Sequence, residues 1–119
     1  MPYVDGFLLP LPKKNVAAYR KMARKFGKLC MEFGATSYSE CLADDVKPGK
    51  WTSFPQAVKL KKDELVVFSW VVYPSKAVRD RANKKIMTDP RVAKMIDPKN
   101  VPFDGKRMMY GGFKPMVSL

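Results

Sequence analysis

The chain has 119 residues, 23 of them Lys or Arg against 11 Asp or Glu, a net charge of +12, two cysteines and no histidine. The length fits one domain spanning residues 1–119, and no run of about 18 apolar residues offers a membrane span, so no membrane partner is expected. The lack of histidine excludes Ser-His-Asp and Cys-His catalysis and imidazole ligation, and two cysteines cannot close a zinc site, so neither metal nor cofactor is expected.

Residues Tyr3 to Leu9 are predicted as a first strand, ended by Pro10 and Pro12. From Lys13 to Phe33 the pattern turns helical. Tyr19, Met22, Ala23, Phe26, Leu29, Cys30 and Phe33 recur at three- and four-residue spacing, with Lys14, Arg20, Lys21, Lys25 and Lys28 opposite. Gly34 stands where a helix C-cap belongs. Gly27 inside this helix costs about 1 kcal/mol relative to alanine. Ala35 to Ala43 is predicted as a second strand, polar enough for a sheet edge. Asp44 to Lys50 is a turn, and Trp51 to Lys59 is predicted as a short extra strand interrupted by Pro55.

Leu65 to Tyr73 carries the strongest strand signal. Leu65, Val67, Ser69, Val71 and Tyr73 would share one face, and Val66, Phe68, Trp70 and Val72 the other. Both faces are apolar, so both call for cover. Ser75 is a good N-cap for a helix to about Met87 with Val78, Ala82 and Ile86 as its buried stripe. Asp89-Pro90 starts a short helix to Ile96, which stops before Asp97-Pro98. Asn100 to Gly105 is loop, and Lys106 to Phe113 is predicted as the last strand.

The order strand, helix, strand, strand, helix, strand is the ferredoxin-like βαββαβ arrangement, an α+β fold with an antiparallel sheet and helices on one face. About two helices cover only that face. The other face needs a partner, and a second copy of the chain, a homodimer, is the natural one.

Several blocks resemble a known family. These are Tyr3-Val4-Asp5-Gly6-Phe7, Glu40-Cys41, Val67-Phe68-Ser69-Trp70, Tyr73-Pro74-Ser75-Lys76 with Val78-Arg79-Asp80, and Met87 with Asp89-Pro90-Arg91. Pro102 to Met108 and Tyr110-Gly111-Gly112-Phe113 complete the set. Together they resemble the YbaA-like family of small bacterial proteins, a domain of unknown function, over Tyr3 to about Pro115. The resemblance implies a dimeric α/β barrel, in which two ferredoxin-like sheets pack face to face. That superfamily includes monooxygenases, isomerases, haem-degrading enzymes, peroxidases and stress-response proteins, so fold alone assigns no reaction.

Five residues are candidates for a ligand pocket. Asp5 lies in an apolar strand beside Gly6 and would serve as base or ligand anchor, or as an ion-pair partner of Lys106 or Arg107. Glu40 shares a face with Tyr38 and would be a general base in a pocket, or a surface ion pair at a rim. Ser69 has no histidine to activate it and suits a hydrogen bond. Arg79 shares a helix face with Asn83, either toward a ligand or as solvated surface. Tyr110 would donate a phenolic hydrogen bond to a ligand or to a structural partner. The expected function is binding, with transformation left open, of a small organic molecule between sheet and helices. The alternative is nucleic-acid or other polyanion binding through the basic surface, although the base-stacking motif of RNA-recognition modules is missing from the third strand. Two thiols and an N-terminus lacking the basic and apolar regions of a signal peptide suggest a cytoplasmic protein.

Overall fold

The computed structural model describes residues 1–95, 99 and 101–119. Its elements are β1 (Tyr3–Pro12), α1 (Val16–Glu32), β2 (Ser37–Leu42), α2 (Phe54–Ala57), β3 (Glu64–Tyr73), α3 (Lys76–Thr88), α4 (Pro90–Met95) and β4 (Met109–Phe113). Single 3-10 turns at Lys13–Asn15 and Gly105–Arg107 introduce α1 and β4. The strands form one antiparallel sheet in the order β2-β3-β1-β4. This is the expected ferredoxin-like arrangement, with the two longest and most apolar strands at its centre and β2 at an edge.

The alternation read from the sequence decides the faces. In β3, Val67, Ser69, Val71 and Tyr73 are buried beneath the helices, while Phe68 on the other face is 45 % exposed. Two groups of buried side chains make the core. One gathers Cys30 of α1, Val71 and Tyr73 of β3, and Ala82 and Ile86 of α3. The other gathers Leu9 and Leu11 of β1, Tyr19 and Ala23 of α1, and Val67 of β3. Ser69 stands between Val67 and Val71, and so between the two groups.

The caps formed as their chemistry dictates. The Ser75 hydroxyl accepts from the Val78 amide at 3.2 Å and starts α3. Gly34 ends α1 at φ +119°, a left-handed conformation that favours glycine. The Asp89 carboxylate accepts from the Arg91 amide at 2.8 Å before α4, and Arg91 reaches Glu32 at 2.6 Å to tie α4 to α1. The predicted end of this helix, at Ile96 and Asp97-Pro98, and the loop residue Asn100 lie outside the described residues.

Three expectations are corrected. First, β1 runs on through Pro10 and Pro12, paired with Val66 and Glu64. The Lys13 amide donates to the Asp63 carbonyl at 2.9 Å. By alternation the two proline nitrogens turn to the other side of β1, where β4 has already ended opposite Leu8. No ladder bond is lost there, so proline is tolerated. Second, the extra strand predicted within Trp51 to Lys59 is the single helical turn α2. Ser53 caps it, accepting from the Gln56 amide at 3.3 Å, with Pro55 in its first turn. Third, the last strand starts at Met109, because Asp104 accepts from the Lys106 amide at 3.0 Å and caps a 3-10 turn over Gly105–Arg107.

Candidate functional site

Sheet register sets the site. Glu40 of β2 lies opposite Ser69 of β3, Ser69 opposite Phe7 of β1, and Phe7 opposite Tyr110 of β4. Residues directly opposite share a face, so these four form one row on the helix-facing side of the sheet. The next row holds Tyr38, Val71, Asp5 and Gly112.

A cavity of about 210 Å³ lies above the first row, between the sheet, α1, α4 and the segment around Phe103 and Met108. Its walls are mostly apolar, among them Phe7, Leu9, Met22, Phe26 and Val92. Glu40 and Ser69 bring the polar groups. Ser69 is 3 % exposed and lines the cavity. A small side chain at the seam of two core groups leaves the space and places a hydroxyl at its edge.

Among the described residues Glu40 has no ion-pair partner. The Tyr19 hydroxyl donates to Glu40 Oε1 at 2.7 Å, and the Tyr38 hydroxyl donates to Glu40 Oε2. Burial first, and then the Glu40 charge, push both phenols well above the ordinary tyrosine range, so they remain donors. Each carboxylate oxygen keeps capacity for a further donor. The arrangement fits a ligand hydroxyl, amine or amide N–H. Gly27 of α1 makes it possible: a Cβ there would sit 2.7 Å from two ring carbons of Tyr38. The glycine that weakens the helix admits the tyrosine that holds Glu40.

The segment closing the cavity is pinned at both ends. Asn15 Nδ2 donates to the Pro102 carbonyl at 2.8 Å, and Phe103 meets Tyr19 edge-on at 5.7 Å. Arg107 donates to both Glu64 oxygens, at 2.8 and 2.7 Å, and to Asp104 at 2.9 Å.

The other candidates lie apart from the cavity lining. Asp5 is paired with Arg79, whose Nε lies 3.1 Å from both carboxylate oxygens and whose Nη2 lies 2.9 Å from Oδ1. The expected partners Lys106 and Arg107 are wrong, since Arg107 is taken by Glu64 and Asp104. The solvated-surface reading of Arg79 fails as well, because its guanidinium crosses the Tyr3 ring at 5.1 Å to reach Asp5. Hydrogen bonds to Asp5 hold that guanidinium above the ordinary arginine range. Gly112 leaves the room: a Cβ there would lie 2.9 Å from Arg79 Nη2. Tyr110 is 72 % exposed and stacks on Phe7 at 6.3 Å, so it is neither a buried structural tyrosine nor a cavity donor. Among the described residues no cluster of three or more metal-ligating side chains is gathered.

Sequence reasoning missed Tyr19 and Gly27. Tyr19 fell within the apolar stripe of α1, where a buried phenol signals a partner for its hydroxyl. A glycine inside an otherwise strong helix is likewise a packing signal.

The family model described as "Protein of unknown function (DUF1428)" matches residues 2–105. The chain belongs to that family. It is 52 % identical over 117 residues to the uncharacterized protein YbaA of Escherichia coli K12, covering 98 % of both chains. Among solved structures it is similar to a NIPSNAP family protein from Agrobacterium tumefaciens, at TM-score 0.61 and 14 % identity, covering 98 % of this chain and 94 % of that one. It is similar to a mutant form of SnoaB, a cofactor-independent oxygenase from Streptomyces nogalater. There the TM-score is 0.56 at 12 % identity, covering 99 % and 96 %. At those identities the likeness to the solved structures concerns the fold.

Proposed function

We propose that this DUF1428 chain is a cytoplasmic homodimer that binds a small, largely apolar organic molecule in the cavity over the Glu40–Ser69 row. The observation that carries the reading is an apolar cavity lined by a carboxylate fixed by two tyrosines and, beside it, the hydroxyl-bearing Ser69. A few polar groups converging in an apolar space are what a ligand site needs for affinity and orientation. Glu40 accepts from a ligand donor, and Ser69 supplies a donor or acceptor alongside it. Asp5 and Arg79 brace the sheet against α3, and Tyr110 covers Phe7 at the sheet edge. The cavity favours this reading over polyanion binding, which needs only the charge of +12.

Dimerisation is supported by the uncovered sheet face. Phe68, Met109 and Phe113 are 45, 42 and 62 % exposed there, next to Leu8 and Trp70. The Phe113 ring lies over Gly6 and Gly111, at ordinary contact distance, 3.7 Å, from where their Cβ atoms would be. Exposed apolar side chains gathered on one face suit association with another apolar surface. The helix-side cavity remains free when this face is used.

The test of the site is a titration with 2-naphthol, an apolar body with one donor, followed by amide chemical shifts. Residues Ala23, Glu40 and Ser69 are expected to respond, and Ser69→Leu, which fills the space and removes the hydroxyl, is expected to end binding while the fold persists. No response in the wild-type protein, or an undiminished one in Ser69→Leu, refutes the site. Light scattering tests the dimer: Phe68→Glu is expected to halve the mass, and a wild-type monomer refutes it.

A further inference from the structure

Beside the cavity runs a second, larger space. A groove of about 730 Å³ follows the gap between α1 and the edge strand β2. It shares Tyr19, Ala23, Tyr38 and Glu40 with the cavity, so an occupant of either space lies against the same carboxylate. Its floor is apolar, through Leu11, Val16 and Val67.

Its rim is cationic. Arg20, Arg24 and Lys28 line the groove at four-residue intervals, which sets all three on one side of α1. Lys76, Arg79, Arg91 and Arg107 are engaged in ion pairs elsewhere in the fold. Among the described residues the three rim cations have no acidic partner. Glu40, the one carboxylate lining the groove among the described residues, is held by its two tyrosines instead. Three unpaired cations over an apolar floor complement an anion attached to an apolar body.

We propose that the ligand is a bipolar organic anion, with a hydrogen-bond donor that reaches Glu40 and an anionic group seated on Arg20, Arg24 and Lys28. The order of these groups is fixed. An anion placed next to Glu40 would meet like charge, so the donor end goes inward and the anionic end stays at the rim. This rests on the cavity being a binding site and names the class of molecule it takes.

Three probes with one apolar body separate the two ideas: 2-naphthol with a donor alone, 2-naphthoate with an anion alone, and 6-hydroxy-2-naphthoate with both at opposite ends. In low salt the bifunctional probe is expected to bind about tenfold or more tighter than 2-naphthol, and the gap is expected to narrow as salt screens the exposed rim. The double variant Arg20→Gln/Arg24→Gln is expected to bring the gap below about threefold. Lys21→Gln/Lys25→Gln removes equal charge from the exposed outer side of the same helix and is expected to keep it. Equal affinity of the two donor probes, a gap that survives Arg20→Gln/Arg24→Gln, or an equal loss in both double variants overturns the proposal. If 2-naphthol binds without any preference for the anion, this proposal alone falls. If no probe binds, the cavity reading falls with it.

Discussion

Gly27→Ala puts two opposing effects in one residue. Alanine in a helix interior is favoured over glycine by about 1 kcal/mol. Gly27 is buried, in the middle of α1, with a Cβ position 2.7 Å from Cδ1 and Cε1 of Tyr38 and 3.1 Å from Cγ. Real Cβ atoms do not sit that close to ring carbons, so the ring or the helix must move. The Tyr38 ring has little freedom, since its hydroxyl is bound to Glu40 and its ring packs against Phe26 at 6.3 Å. Overpacking of this kind costs about 1–3 kcal/mol. The steric effect therefore exceeds the helical gain, and Gly27→Ala is expected to destabilise by about 1 kcal/mol. The cause is isolated by repeating the change in a Tyr38→Ala background. There the obstacle is gone, and the same substitution is expected to stabilise by about 1 kcal/mol. The coupling in this double-mutant cycle is then about 2 kcal/mol, read from urea midpoints at constant slope. If Gly27→Ala stabilises the wild-type protein, or destabilises both backgrounds equally, Gly27 is not there for Tyr38.

The remaining predictions concern the supports of the site. Asp5→Ala is expected to cost about 2 kcal/mol, less than a fully buried pair because Arg79 remains partly in water. Arg79→Met strands the more buried partner and is expected to cost at least as much, and the double variant is expected to recover part of the sum; strict additivity in urea melts would refute the pairing. Asn15→Ala removes the bond to the Pro102 carbonyl and is expected to cost about 1 kcal/mol and loosen the segment over the cavity, seen as faster amide exchange around Phe103; unchanged exchange would refute its role. Stability is expected to hold from neutral pH to about pH 9 and to fall above it. Burial pushes the Cys30 thiol up to about 11 and pushes Tyr19, Tyr38 and Tyr73 further above their ordinary values. The folded state thus keeps protons that the unfolded chain releases at high pH, so alkali favours unfolding. Ionisation of these groups without loss of tertiary structure would contradict their burial.

What could be read from the sequence was local and periodic. The stripe of α1, the alternation of β3 and the Ser75 cap each repeat over several turns or follow from one side chain's chemistry, and each formed as expected. The failures share a cause. Pro10 and Pro12 looked like strand terminators because their tolerance depends on β4 ending opposite Leu8, a fact of the folded sheet. Asp5 seemed suited to Lys106 or Arg107 rather than to Arg79, because charge type does not carry distance. Tyr110 stands in the helix-facing row and is still exposed, since β4 is an edge strand beyond the reach of α1. Glu40, Ser69 and Phe7 were visible one by one, but their common row depends on strand register, which the apolar pattern constrains only to one residue in two.

The cavity has an origin that follows from the same register. On the helix-facing side of β3, Val67 and Val71 each anchor a core group, and Ser69 is the smallest side chain between them. A valine there would join the two groups into one continuous core and leave little for a ligand. The polar residue thus opens space and supplies a hydrogen-bonding group at one point. Tyr38 and Tyr19 then hold Glu40 beside that space, and Gly27 lets Tyr38 approach. On the opposite face the large residues Phe68 and Trp70 alternate with these same positions, 5.6 Å apart by ring centroid. One strand therefore divides its labour by parity. Its odd positions Val67, Ser69 and Val71 lie beneath the helices and its even positions Phe68 and Trp70 on the opposite face, so substitutions of one kind are expected to leave the other face largely unaltered.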